Sequence, residues 1–314
     1  MFCKRFTLNF LILVTLLIPA ACEKSGIDKP IRLGYLQNDL HHLPLFVALE
    51  KGFIKQAGLD YKVSGVFRAG PEEMSAFAAG ELDIGYVGQA PATAAYLNSV
   101  ADIRFISQSN QEGSSIVVRE NSEIKSVTDF KARTIAIPGH ATMQDFLLRK
   151  ALKTAGISYE EVKIIVLKPP EMSQALINKN IDAFIAWEPY SSQAETGGIG
   201  RTLISSSSIW ENHPCCVVVA DAAFSEKYSL KIKKFKEVHA RACLFIQNNI
   251  EESISIGQKY TGMDKETVKK AVSMIKYDPG LDMGKAVQFV DFLMDLRYIK
   301  PQNKGKSIKS VFNE

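Results

Sequence analysis

A sequence motif that occurs twice decides the fold: Glu73-Met74-Ser75 followed by Gly80-Glu81-Leu82-Asp83-Ile84, and Glu171-Met172-Ser173 followed by Lys179-Asn180-Ile181-Asp182-Ala183. In both copies a helix-opening Glu-Met-Ser precedes an aspartate and an apolar strand. The spacing between the Glu-Met-Ser segment and the segment that follows it differs by a single residue between the two copies of the motif. A recurring order of elements indicates duplicated topology, so we expect two related structural units.

Each copy lies at the same place in an alternating series of strands and helices. In the first half the predicted strands are 31–37, 61–66 and 83–87, with helices at 44–56 and from Pro71. In the second half the predicted strands are 134–138, 163–168 and 182–186, with helices at 143–155 and from Pro170. Alternation of this kind predicts α/β units with mostly parallel sheets and right-handed crossovers.

The expected lobes have unequal shares of the chain. Lobe I is predicted to comprise 31–117 and 222–314, and lobe II 118–221. The chain is expected to cross between lobes after the strand 103–106 and to return along 217–220, after which helices over 222–299 complete lobe I. Because ligands bind beyond the carboxyl ends of the strands in such sheets, the predicted site is the cleft between the lobes.

The first 22 residues are typical of a targeting segment, with Lys4 and Arg5 before an apolar run and Pro19-Ala20-Ala21 at its end. The pattern resembles a bacterial lipoprotein signal, which implies removal of 1–21, a lipid on Cys22 and a tether over 22–30. Pro19 stands where that motif usually has Leu, so a plain secretory signal remains an alternative. We expect an exported protein, periplasmic or lipid-anchored at the outer face of the cytoplasmic membrane.

Composition excludes several classes of protein. A chain with 46% hydrophobic and 23% charged residues has ample material for packed cores. The net charge is +4, to which Lys4 and Arg5 of the leader contribute two, and no dense basic run with aromatics predicts nucleic-acid binding. No phosphate loop, nucleophile elbow or catalytic carboxylate pair is visible, so we expect no enzyme and no cofactor.

Three segments resemble one family: 31–35, then Leu43-Pro44-Leu45-Phe46-Val47-Ala48-Leu49-Glu50-Lys51-Gly52-Phe53, and then 80–85. They are similar to the substrate-binding proteins of nitrate, sulfonate and taurine ABC importers, a superfamily shared with thiamine-pyrimidine receptors and synthases. The resemblance implies the type II periplasmic binding protein fold, two hinged Rossmann-like lobes with mixed, mostly parallel sheets. It also implies a monomer that captures a small anionic or related solute for an ABC permease and its ATPase.

The resemblance also implies where the ligand binds. The family's contact loops and its lobe II helix N-terminus match twelve of the predicted site residues: Asn38, Asp39, His41, His42, Gly88, Gln89, Gly139, His140, Ala141, Thr142, Trp187 and Glu188. The two-lobe arrangement adds His213, Cys215 and Cys216 near the return crossing, where the sequence departs from the common members of the family. Trp187 is either an aromatic platform for a planar ligand or an interlobe packing residue.

The histidines and cysteines among these positions are not what a simple sulfonate or nitrate site requires. Imidazole and thiolate are ligands of soft and borderline metals, so His41, His42, His213, Cys215 and Cys216 are candidates for binding a metal, a metalloid or a chalcogen species. The alternative is that the cysteines begin a buried strand and the histidines bond the backbone. An enzyme similar to the thiamine-pyrimidine synthases is a further alternative.

Overall fold

The structure is a computed structural model that describes residue 2 and residues 29–140, 142–299 and 308–312. The predicted leader apart from residue 2, Cys22 and most of the tether lie outside these residues. Among the helices within the described ranges, none combines the length and the apolar character that a membrane crossing needs.

Two sheets form the framework of the molecule. The strands are β1 Ile31–Leu36, β2 Tyr61–Phe67, β3 Ile84–Gly88, β4 Ile103–Glu112, β5 Ser114–Arg119, β6 Thr134–Ile137, β7 Lys163–Val166, β8 Ala183–Trp187, β9 Gly200–Ser205, β10 Pro214–Asp221 and β11 Ile275–Lys276. Lobe I is built on a six-stranded sheet of order β11-β4-β10-β3-β1-β2, and lobe II on a five-stranded sheet of order β7-β6-β8-β5-β9.

Helices cover these sheets. They are α1 Leu43–Glu50, α2 Phe53–Gln56, α3 Gly70–Ala78, α4 Gln89–Leu97, α5 Met143–Thr154, α6 Pro169–Ile177, α7 Tyr190–Thr196, α8 Ser206–Ile209, α9 Ala222–Lys227, α10 Ser229–Asn248, α11 Ile250–Thr261, α12 Lys265–Ser273 and α13 Met283–Asp295. The predicted helix 44–56 is divided in two. Gly52 has φ 65°, the left-handed conformation that ends α1.

The duplicated topology is confirmed, because the parallel triplets β2-β1-β3 and β7-β6-β8 have the same order. The aspartate of the motif makes the same hydrogen bond in both lobes. Asp83 Oδ2 accepts the backbone N–H of Arg32 at 2.8 Å, and Asp182 Oδ2 accepts that of Thr134 at 2.9 Å. Each aspartate therefore joins the start of its lobe's first strand to the start of its third strand. This shared role explains why the motif occurs twice.

Both sheets are mixed as expected, but parallel pairing does not predominate in the described residues. The pairs β1-β2, β1-β3, β6-β7 and β6-β8 are parallel. The pairs made by β10, β11 and β5 are antiparallel. The strands that carry the chain between lobes enter without a crossover helix, and only a crossover would have made them parallel to their neighbours.

The crossings differ from the expected bounds at 117 and 221. The predicted strand 103–106 is longer than expected, because the polar run that follows it continues β4 to Glu112, and β5 opens at Ser114. Because β5 pairs only within the five-stranded sheet, the first crossing falls at Gly113. The return falls before Pro214, since all of β10 belongs to the six-stranded sheet.

The C-terminal helices contact both lobes, where the sequence predicted lobe I alone. Phe292 of α13 meets Phe146 of α5 with ring centroids 4.0 Å apart. Lys270 of α12 pairs with Glu195 of α7 at 2.7 Å. Helices α12 and α13 therefore contribute contacts between the lobes.

Candidate functional site

A small cavity lies between the two lobes. Its volume of about 20 Å³ would hold roughly one water molecule or one ion. Its described lining comes from both lobes: Leu36, Asp39, His41, Ala69, Gly70, Gly88, Pro91, Cys215 and Cys216 from lobe I, and Thr142, Met143, Gln144 and Trp187 from lobe II. A larger open groove of about 540 Å³ beside Arg119 and Arg133 contacts lobe II alone. Its two arginines already lie near Asp182.

A β-bulge brings Cys215 and Cys216 to the same side of β10. In a regular strand successive side chains point to opposite faces. Here the pairing with β4 shifts register between Pro214 and Cys216, so Cys215 is the extra residue of the bulge. Both sulfurs consequently lie 3.5 Å from His41 Nδ1. Both thiols are free and buried.

His41 lies in the short 3-10 helix Leu40–His42 that follows β1, and residues outside that helix hold it from several sides. Its backbone N–H donates to Asp39 Oδ1 at 2.9 Å, and its carbonyl accepts from Ser109 Oγ at 2.7 Å. Its Nε2 lies 2.7 Å from the carbonyl oxygen of Gly113. A carbonyl oxygen only accepts, so Nε2 carries a proton and Nδ1 is the atom that faces the sulfurs.

The buried charges at this cluster are coupled. A hydrogen bond from Cys216 and the charge of His41 hold the pKa of Cys215 well below its usual value, whereas burial raises the pKa of Cys216 well above it. Burial alone would lower the pKa of His41, but the charges of Cys215 and Asp39 raise it to about 10. These shifts favour an imidazolium–thiolate pair of His41 and Cys215, with the thiol of Cys216 beside it.

Asp39 and His42 form a second cluster with Cys216, in which one ligand atom of each residue lies within 4.8 Å of the others. Burial raises the pKa of Asp39 to about 7 in spite of nearby His41. His42 Nδ1 accepts the backbone N–H of Leu36 at 3.2 Å, while its Nε2 has no hydrogen-bond partner in the described part of the chain. Burial lowers the pKa of His42, so its ring is neutral.

Gly113, at the first crossing, connects the two lobes to this cluster. Its carbonyl oxygen accepts from His41 Nε2 of lobe I and from the backbone N–H of Glu188 in lobe II, the latter at 3.0 Å. The Glu188 carbonyl in turn accepts the N–H of Leu40 at 3.1 Å. A change in the angle between the lobes would therefore strain the contacts that orient His41.

Lobe II closes the cavity with an aromatic ring and a helix N-terminus. Trp187 is buried, and its Nε1–H has no partner among the residues the structure describes. Thr142 caps α5, accepting the N–H of Asp145 at 3.2 Å and donating to the Gly139 carbonyl at 2.7 Å. The first turn of α5 consequently faces the cavity through Thr142, Met143 and Gln144.

Seven of the predicted site residues line the cavity: Asp39, His41, Gly88, Thr142, Trp187, Cys215 and Cys216. Seven others lie near it or outside it: Asn38, His42, Gln89, Gly139, His140, Glu188 and His213. The His140 side chain is 58% exposed. His213 is buried against Trp210 and belongs to neither cluster. Ala141 lies outside the described residues.

Sequence reasoning missed several residues at the site, of which Glu73 and Gly113 are the most informative. Glu73 is fully buried and its carboxyl oxygens have no hydrogen-bond partner in the described ranges, although its counterpart Glu171 is exposed. Burial, reinforced by Asp39, raises the pKa of Glu73 well above its usual value. A glycine inside a polar run was the available signal for Gly113. Nothing in the repeated motif distinguished Glu73 from Glu171.

Two lobes built on mixed sheets, with a cavity between them lined from both sides, define a periplasmic binding protein fold. Residues 26–256 match the NMT1-like family, and the chain belongs to that family. A protein of Bacillus subtilis named for binding aliphatic sulfonates is 28% identical over 83% of this chain and 80% of its own length.

Solved structures show the same fold at lower identity. The periplasmic aliphatic sulphonate binding protein SsuA of Escherichia coli has a TM-score of 0.74 at 23% identity, covering 87% of this chain and 94% of its own. The periplasmic nitrate-binding protein NrtA of Synechocystis PCC 6803 has a TM-score of 0.78 at 17% identity, covering 90% and 86%.

Proposed function

We propose that this chain is the solute-binding component of an ABC importer, which captures a small solute between its lobes. The observation that carries the proposal is the interlobe cavity, because residues from both lobes must come together to form its walls. A ligand that contacts both walls binds the closed arrangement better than an open one, and so shifts the equilibrium towards closure.

The contacts around Gly113 support this mechanism. The carbonyl of Gly113 bonds to both lobes, and Leu40 is tied to the Glu188 carbonyl across the cleft. A ligand that orders His41 or Trp187 would therefore also favour the closed lobes. The permease and its ATPase are the partners we propose to receive the closed form.

The location and the state of the chain follow from the same proposal. Export, a lipid on Cys22 as an anchor, and action as a monomer fit a receptor that works beside its permease. The names of the relatives make aliphatic sulfonates and nitrate the first solutes to test.

The chain offers a built-in reporter, because it has two tryptophans and only Trp187 lines the cavity. In the variant Trp210→Phe, we expect Trp187 fluorescence to change saturably with the captured solute, and small-angle scattering to show a more compact particle. The matched variant Trp187→Phe should lose the fluorescence response. A solute that binds without compaction and without raising the ATPase rate of the reconstituted importer would contradict the receptor proposal.

An enzyme is a second candidate, favoured by one observation. The sulfur of Cys215 lies 3.5 Å from His41 Nδ1, and its lowered pKa is typical of a nucleophile paired with a base. This function predicts multiple turnover of a thiol-reactive substrate that is lost in Cys215→Ser. Binding of one solute equivalent without product formation would argue against it.

A further inference from the structure

We infer that the solute captured by this site is a thiophilic metal cation, bound by His41 Nδ1 and the sulfurs of Cys215 and Cys216, with the Asp39 carboxylate beside them as a counter-charge. This inference rests on the proposed receptor function and names the class of its substrate. Zinc, cadmium and cuprous ions belong to this class, since they prefer thiolate and imidazole ligands.

The distances between the side chains fit a tetrahedral metal ion. Metal–nitrogen and metal–sulfur bonds to zinc give a nitrogen-to-sulfur edge of about 3.6 Å in a tetrahedron. His41 Nδ1 lies 3.5 Å from the sulfur of Cys215 and 3.5 Å from that of Cys216. Asp39 Oδ1 lies 3.5 Å from the same nitrogen. Both sulfurs therefore already lie at the separation from Nδ1 that a shared metal requires, and the three ligand atoms all lie within 4.8 Å of one another. Asp39 belongs to the neighbouring group with His42 and Cys216.

The groups behind the donors hold them in place. Histidines that bind metals usually donate their other ring N–H to a carbonyl or carboxylate, and His41 Nε2 does so to Gly113 at 2.7 Å. Cys216 is fixed through its backbone, whose N–H donates to Asn110 Oδ1 at 3.1 Å and whose carbonyl accepts from Gln108 Nε2 at 2.6 Å. The bulge at Cys215 is what places both sulfurs on one side.

The charges at the cavity favour a cation over sulfonate or nitrate. None of the described lining residues is Lys or Arg, whereas Asp39 lines the cavity. Two more carboxyls, those of Glu73 and Glu188, are fully buried close to the cluster. The first turn of α5 would favour an anion. Because burial raises the pKa values of these carboxyls, they oppose it with negative charge only where a bound cation displaces their protons. The cavity of about 20 Å³ also suits a single ion.

Metal binding would connect directly to closure of the lobes. The His41 ring that would bind the ion also holds the Gly113 carbonyl at the crossing. Met143 lines the same cavity from lobe II and brings a polarisable thioether, which soft metals accept as a ligand. An ion at the cluster is therefore positioned to recruit lobe II.

The test uses the full chain, reduced and metal-free, titrated with Cd²⁺ and Zn²⁺, with Mg²⁺ as the negative probe. We expect one equivalent of Cd²⁺ to bind and to produce the ultraviolet charge-transfer band of two thiolates. Cys215→Ser and Cys216→Ser should each weaken binding at least about 100-fold, since even second-shell changes cost 10- to 100-fold. Cys243→Ser is the matched control, because Cys243 is buried beside His239 outside either cluster and should leave affinity unchanged.

The outcomes separate this inference from the proposed function. Equal Cd²⁺ affinity in all three serine variants, or no thiolate band in the unaltered chain, would overturn the metal site even if a variant folds poorly. Nitrate or an alkanesulfonate that changes Trp187 fluorescence in a chain that binds neither Cd²⁺ nor Zn²⁺ would also overturn it, while the receptor function would stand. Metal bound through both thiols without lobe closure would support the site and contradict the receptor.

Discussion

His41 Nε2 donates a hydrogen bond of 2.7 Å to the carbonyl oxygen of Gly113, the residue at which the chain crosses from one lobe to the other. The same oxygen accepts the N–H of Glu188 from lobe II. One backbone carbonyl thus orients the candidate ligand histidine and ties the lobes together.

Gly113→Ala should disrupt this relationship. A Cβ at this position would lie 2.4 Å from His41 Nε2, and the backbone has φ 84°. Strain and overpacking together should lower the free energy of unfolding by at least about 2 kcal/mol, measured by denaturant titration. Gly156→Ala is the control, because it has φ 73° with open space around it, and should cost about 1 kcal/mol. Equal losses in the two variants would show that the contact with His41 is unimportant.

The repeated aspartates should differ in their contribution to stability. Asp83 is almost fully buried and bonds Arg32 through its backbone and guanidinium, whereas Asp182 is partly exposed. Asp83→Ala should cost roughly 2–3 kcal/mol and Asp182→Ala about 1 kcal/mol in chemical denaturation. Asp102→Ala, which removes an exposed pair, should have little effect. A larger loss for Asp182→Ala would contradict this ranking.

The free energy of unfolding should decrease as pH rises, because of Glu188. Burial raises the pKa of this carboxyl from 4.5 to about 7, with opposing contributions from Ser192 and His41. A raised folded-state pKa means that the native state holds the proton longer than the unfolded chain, so its contribution is complete below pH 4.5 and is lost as pH rises towards 7. The unaltered chain should lose about 3 kcal/mol relative to Glu188→Gln across this window. Parallel pH profiles of thermal unfolding would argue against it.

The aromatic contact between α13 and α5 should help to hold the lobes together. Phe292→Ala removes a half-buried ring whose centroid is 4.0 Å from that of Phe146. We expect a loss of about 1–2 kcal/mol and a larger radius of gyration by small-angle scattering. Val287→Ala, on the exposed side of the same helix, should change neither quantity. An unchanged radius in Phe292→Ala would remove α13 from the closure mechanism.

Much of the fold could be predicted from the repeated motif and from the alternation of strands and helices. Apolar periodicity is local information, so the parallel triplets and the helices of both lobes were found near their true positions. The continuation of β4 through the polar run 107–112 was missed, because its side chains are buried by partners distant in sequence and no apolar pattern marks the run as a strand.

The sequence by itself determined the two related lobes, the family, and the residue types that make His41, Cys215 and Cys216 candidates. Only the tertiary structure decided which of them meet. Adjacent cysteines in a strand should face opposite ways, and it is the bulge against β4 that turns both towards His41. Glu73 and Glu171 occupy the same position in the two copies of the motif, yet Glu73 is buried and Glu171 is exposed. Burial depends on contacts between distant segments, which no local pattern records.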